Sequence, residues 1–404
     1  MRKARNVVDH DIRTARAGLT QIIEPADSLG AHAVEAWGPL RVVEIIFGST
    51  PTQQDWVTLS ALDPGDGKFT SMLRNKLGDA IQRWRRRREY YQPQAALNYM
   101  KTLGGRFIIP EDENWPTALA DLGDSIPLGL WALGSPEFPP YDRAVSIVGS
   151  REATPYGEKA TTIFVDKARE LGLTVISGGA YGIDAHAHRA ALDTHDTGLP
   201  TIAVLAGGLD RLYPAGNTEL QRQIAARGLL ITEMPPGMRP NRYRFLNRNR
   251  LIAALSATTI VIEARYRSGA LSTANHAHDL GRTVAAVPGP INVPTSAGCH
   301  RMIKETPTLL IDDPEDLATL YNVGSSTSQR TPVADDQRDY DSLGLEEMLV
   351  YEALPVNSRT NLSTLSSLTG LGVPQLAAIL TRLERAGLAE AQSHGWQKRR
   401  DTMQ

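Results

Sequence analysis

The stretch Ala144-Val-Ser-Ile-Val148-Gly149-Ser150-Arg151-Glu-Ala-Thr-Pro155-Tyr156-Gly157 decides the fold. Ala144–Val148 is a short run with two valines and an isoleucine, which reads as a buried strand. It runs into a turn at Gly149-Ser150-Arg151, and Pro155-Tyr156-Gly157 precedes a helical pattern from Glu158 to Leu171. The same strand, glycine loop and helix recur downstream. Leu173–Ile176 leads into Ser177-Gly178-Gly179-Ala180-Tyr181-Gly182, with a helix from Asp184 to His195. Thr201–Leu205 leads into Gly207-Gly208 and then a helix from Asn217 to Arg227. Leu229–Ile231 follows, and Thr258–Ile262 leads into Ser268-Gly269 and a helix from Ala270 to Leu280, before Thr283–Val287. Strands alternating with helices at this spacing predict an α/β, Rossmann-like, doubly wound and mostly parallel sheet. Phe107–Ile109 and Leu128–Leu133 are expected to add edge structure.

Working outward, residues 1–100 read as a helical N-terminal domain, and 103–320 as the Rossmann-like domain. The run Arg83, Trp84, Arg85–Arg88 reads as a solvated helix end, with a phosphate-contacting patch as the alternative. Residues 323–342 are polar and read as a linker. Residues 343–400 read as a winged helix. Helices at Leu345–Leu354, Leu362–Thr369 and Val373–Ala386 are followed by a hairpin around Gly395, and Leu376, Ile379, Leu380 and Leu383 form a buried helical face.

The bulk numbers exclude several classes. With one cysteine, Cys299, there is no intrachain disulfide and no cysteine-based zinc site. Nothing approaches the roughly 20 apolar residues of a membrane span, so a cytoplasmic protein is expected. The net charge of −2 gives no support for nucleic acid, and that case must rest on local charge. His186 with His188, and His276 with His278, are spaced i, i+2, do not share a helical face, and read as surface histidines rather than metal ligands.

Local charge does make the case. In a doubly wound sheet ligands bind beyond the carboxyl ends of the strands. Four successive loops there offer glycines, hydroxyls and free amides at helix N-termini, which suits anions. None matches a P-loop or the G-x-G-x-x-G fingerprint. Residues 235–250, PPGMRPNRYRFLNRNR, hold Arg239, Arg242, Arg244, Arg248 and Arg250 with Tyr243 and Phe245 and no acid. Arginine pairs with phosphate, and an interleaved aromatic offers a stacking surface for an unpaired base. A single-stranded nucleic acid is the expected ligand, and no convincing nucleophile–base pair is present.

These ordered motifs, with GGLDRLYPAGN, ITEMPP and GRTVAAVPG, resemble the DNA-processing protein A family (DprA, also called Smf) over roughly 103–320. The resemblance implies a non-catalytic protein without cofactor or metal, which binds single-stranded DNA, protects it and loads RecA recombinase onto it in natural transformation, and which works as a homodimer. Carried over by motif, the DNA site would be Gly149, Ser150, Arg151, Ser177, Gly178, Gly179, Phe245, Arg248, Asn249, Arg250, Ser268 and Gly269, and the basic segment adds Arg242 and Arg244. The family usually carries proline after the phenylalanine, where Leu246 stands here. Two rivals are a nucleotide phosphoribohydrolase-like enzyme, whose P-G-G-x-G-T-x-x-E motif is missing, and a winged-helix regulator.

Overall fold

A computed structural model describes residues 2–62, 68–193, 198–321, 343–356, 358–392 and 395–399. The expected linker at 323–342 lies outside them. The chain divides into two compact units, Met1–Ser325 and Ser326–Gln404, so the N-terminal helices share a unit with the sheet.

The first hundred residues form α1 (Arg2–Ile22), α2 (Ser28–Trp37), α3 (Pro39–Ile46), α4 (Gln53–Ala61), α5 (Lys68–Arg86) and α6 (Pro93–Thr102). The Asp27 side chain caps α2 by accepting from the Gly30 amide, and Thr52 with Asp55 makes a capping box on α4. Gly38, at φ 76°, takes the left-handed turn that separates α2 from α3. Leu19, Ile22, Val42, Ile45, Leu59 and Leu77 pack around Trp84. The arginine run is more tied down than a solvated helix end. Arg83 pairs with Asp27 (2.7 Å), Arg85 donates to the Ile45 carbonyl (2.8 Å), and Arg87 pairs with Glu24 (2.8 Å).

The sheet comprises β1 (Arg106–Ile108), β2 (Leu130–Gly134), β3 (Ala144–Val148), β4 (Thr174–Gly178), β5 (Thr201–Val204), β6 (Leu229–Thr232), β7 (Thr258–Val261), β8 (Thr283–Ala286) and β9 (Leu309–Leu310). Between and after its strands lie α7 (Pro155–Glu170), α8 (Ile183–Leu192), α9 (Thr218–Arg227), α10 (Arg242–Ala254), α11 (Gly269–Asp279), α12 (Ala297–Glu305) and α13 (Glu315–Leu320). The strand order is β1-β2-β6-β5-β4-β3-β7-β8-β9. The run from β6 to β9 is parallel, and β1 and β2 are antiparallel additions at the edge. Val145 and Ile147 of β3 pack with α7 and α8, while Ala144 and Val148 pack with α10 and α11. Strands covered on both faces are expected to be apolar throughout.

β3 neighbours both β4 and β7, so the order reverses there and the loops after β3 and β7 part. That reversal makes the crevice of a doubly wound sheet. The six strands and four helices read from the sequence are present, with ends shifted by a few residues, and the expected helix end at His195 lies outside the described residues. Residues 235–250, read from the sequence as a basic segment without a helical signal, become helix at Arg242. Asn241 is its cap, with Oδ1 accepting from the Arg244 amide (2.9 Å). Polar and basic residues occupied the positions where apolar periodicity would have announced a helix.

The second unit holds α14 (Leu345–Ala353), α15 (Leu362–Thr369), α16 (Val373–Arg385), β10 (Ala389–Gln392) and β11 (Gly395–Lys398). Leu376, Ile379, Leu380 and Leu383 of α16 pack with Val350, Leu354 and Leu365. Gly370 closes α15 in the left-handed conformation (φ 73°), and Thr360 bridges to Trp396 beside the hairpin. Three helices followed by a hairpin is the element order of a winged helix. Among the described residues no single helix is long and apolar enough to cross a membrane.

Candidate nucleic-acid interface

A cleft of about 820 Å³ opens at the switch point. The loop after β3 forms one wall with Gly149, Ser150 and Arg151, and the loop after β7 another with Arg265, Arg267, Ser268 and Gly269. α10 supplies Arg242, Phe245, Leu246, Arg248 and Asn249. One helix face thus carries the aromatic, two arginines and an amide together, because positions three and four apart lie on the same side.

Phe245 is half-buried at the centre of a polar ring. The Arg151 guanidinium lies 5.2 Å from its ring centroid, that of Arg248 6.0 Å, and the Tyr213 ring 5.9 Å. Arg151, Arg242 and Arg267 are exposed, and their guanidinium groups have no ion pair or hydrogen bond among the described residues. Arg265 is different: it pairs with Glu152 at 2.6 Å. Ser150 is turned inward, with its hydroxyl donating to the Glu152 carbonyl and accepting the Glu152 amide. Asn249 donates to the Gly269 carbonyl (3.2 Å), fastening α10 to the start of α11.

Beneath the cleft is a buried layer. Arg248 is 6% exposed, donates to the Val204 carbonyl, and has a buried Nε without a partner among the described residues. Burial pulls its guanidinium down to about 10, with the Asp184 charge opposing and the Arg151 charge assisting that shift. Burial pushes the Asp184 carboxyl up, while the Arg248 charge and the Ala180 amide hold it back. A Cβ at Gly178 would collide with Arg248 Nη1 and Asp184 Oδ2, so any side chain there must displace one of the two groups that close over β4. His188, expected on the surface, is fully buried against the same strand. The Gly178 carbonyl, 3.0 Å from Nε2, only accepts, so the ring proton sits there. Burial lowers this imidazole to about 4, and it is neutral at pH 7.

The expected site residues therefore divide. Gly149, Ser150, Arg151, Arg242, Phe245, Arg248, Asn249, Ser268 and Gly269 line the cleft. Gly179 lies in a small recess beside Phe245 and Arg248. Ser177 and Gly178 lie below it, and the Ser177 hydroxyl donates to the Ile147 carbonyl (2.6 Å). Arg244 and Arg250, on the flanks of α10, are not part of the cleft lining. Arg250 is 3% exposed and grips Glu233 through two bonds of 2.6 and 2.7 Å. Arg244 grips Glu24. Burial and pairing commit both to the fold. Sequence reasoning missed Arg267, Arg265 and Tyr213. A signal for the first two existed in Arg265-Tyr266-Arg267, which repeats the basic–aromatic interleaving just before Ser268-Gly269.

A Rossmann-like sheet with an arginine-walled cleft at its switch point defines a doubly wound α/β protein. More particularly, the chain belongs to the DNA recombination-mediator protein A family, whose model matches residues 106–322. A Mycobacterium tuberculosis protein named as a DNA processing protein DprA is 38% identical over 375 residues, covering 86% of this chain and 94% of the relative. The Smf protein of Escherichia coli is 35% identical over 257 residues, covering 62% of this chain and 67% of its own length. The X-ray structure of DNA processing protein A from Streptococcus pneumoniae matches with a TM-score of 0.54 at 32% identity, over 69% of this chain and 96% of that one.

Proposed function

We propose that this chain binds single-stranded DNA in the switch-point cleft, without catalysis, and delivers the strand to RecA recombinase as a homodimer. The observation that carries the first part is the set of unpaired guanidinium groups of Arg151, Arg242 and Arg267 around the half-buried ring of Phe245. Free cations track a phosphate backbone, and a ring takes a base that has left its stack. The recombination-mediator family supports the delivery step. A non-catalytic role is supported by the Ser177 hydroxyl in these loops being fully buried and donating to the Ile147 carbonyl. A dimer is supported by β9, the edge strand, which leaves Leu309 and Leu310 exposed. The test is an anisotropy titration with one oligonucleotide, single-stranded and then annealed to its complement. Tighter binding of the single strand is expected, and equal affinity for blunt duplex at moderate salt overturns the reading. Sedimentation at several concentrations tests the dimer, and a strand-exchange assay with RecA tests delivery.

A further inference from the structure

Tyr266 is unexplained by the cleft and by the core. The loop after β7 places Arg265 and Arg267 along the cleft, but Tyr266 between them is not part of its lining. Tyr266 is 55% exposed and belongs to neither sheet-face core. Its hydroxyl has no hydrogen bond among the described residues. One contact holds it: the Arg301 guanidinium, from α12, lies over the ring 4.4 Å from the centroid. An exposed aromatic with a cation on one face and unpaired Arg267 beside it repeats the chemistry of Phe245 with Arg151.

We propose that Tyr266 and Arg301 form a second stacking station, for an unpaired base of the strand where it leaves the cleft. Arg267 contacts the phosphate between the two stations, and Arg301 orients the Tyr266 ring while offsetting the charge of the next phosphate. A flexible single strand crossing the β7 loop keeps one base on each ring, whereas a stacked duplex presents no free π-face. The inference rests on the cleft reading, and it adds a length requirement. A strand short enough to sit in the cleft does not reach Tyr266, and a longer one does.

The experiment compares oligothymidylates of about 5 and about 20 nucleotides, within and beyond the span of one such groove. Wild type and the Tyr266→Ala, Tyr266→Phe and Arg301→Ala variants are titrated by anisotropy, and the melting temperature of each is recorded. Tyr266→Ala is expected to weaken the long strand about tenfold and leave the short one unchanged, the loss of one stacked base. Tyr266→Phe keeps the long-strand affinity, and Arg301→Ala loses part of it. A long strand carrying 5-iodouracil should photocrosslink to Tyr266, and the short one should not. Unchanged long-strand affinity in Tyr266→Ala, or equal loss at both lengths, overturns the second station while leaving the cleft reading intact. Failure of the wild type to bind either strand overturns the cleft reading and this one with it.

Discussion

Glu24 grips Arg244 with both carboxylate oxygens, Oε1 2.9 Å from Nη2 and Oε2 3.0 Å from Nε. Arg244 in turn donates to the Arg239 carbonyl (2.7 Å), closing the loop that leads into α10. Arg87 completes the triad on Glu24, and Asn247 donates to the Pro25 carbonyl (3.1 Å). The N-terminal helices therefore hold the helix that carries Phe245 and Arg248.

Glu24→Ala should cost about 1–3 kcal/mol, because it leaves partly buried guanidinium donors without their acceptor. It should also weaken strand binding by loosening α10. The pH dependence follows from the sign of the shift. Burial tends to raise the Glu24 carboxyl, but hydrogen bonds and charge from Arg244 and Arg87 outweigh it and hold the group below its ordinary 4.5. A depressed carboxyl contributes stability in full above its unfolded value and loses it as pH falls through the folded one. The gap in melting temperature between wild type and Glu24→Gln should be widest near neutrality and narrow below pH 4.5. A gap independent of pH would place the stabilisation elsewhere.

Two arginines of one helix should behave in opposite ways. Arg250→Ala leaves Glu233 buried and unpaired, and should cost about 3–5 kcal/mol. Arg242→Ala, at an exposed cation, should move stability by no more than about 0.5 kcal/mol. It should instead weaken strand binding and reduce the slope of log affinity against log salt by about 0.7. Denaturant melts and salt titrations of both variants check the contrast, which disappears if Arg250 contacts DNA.

Arg151→Ala should also reduce the salt slope by about 0.7, the share of one phosphate. It further removes the cation over Phe245. The neutral Arg151→Gln should reproduce the change in slope. An unchanged slope would leave Arg151 as a support for the ring alone.

Phe245→Ala should lower strand affinity by about 1–3 kcal/mol, and Phe245→Tyr or Trp should retain most of it. The ring is half-buried, so melting temperatures belong beside the binding curves. Affinity lost only in proportion to unfolded protein would remove the stacking role.

Gly178→Ala should be poorly tolerated although position 178 lies below the cleft. The new methyl must displace Arg248 or Asp184, at about 1–3 kcal/mol of overpacking. Moving Arg248 should weaken strand binding as well. A variant with wild-type melting temperature and affinity would show that the buried pair repacks freely.

The sheet follows from local pattern alone. Runs such as Ala144–Val148 and Thr258–Ile262 are short, carry their valines and isoleucines on both faces and lead into a loop before a helix, which is the pattern of a parallel strand covered on both sides. The same local logic placed the loops on one sheet edge and the three helices and hairpin of 343–400, because caps, turns and periodicity act over a few residues. Which residues of the basic segment line the cleft depends instead on long-range packing. In sequence Arg242, Arg244, Arg248 and Arg250 are equivalent cations. Of the four, Arg242 and Arg248 line the cleft, whereas Arg244 and Arg250 are taken up by Glu24 and Glu233, two carboxylates that lie outside the segment. His188 was likewise indistinguishable from a surface histidine until Thr201 and Gly178 closed around it. Charge is a local property of a side chain, but whether that charge is free to meet a phosphate depends on what the fold brings within about 4 Å of it.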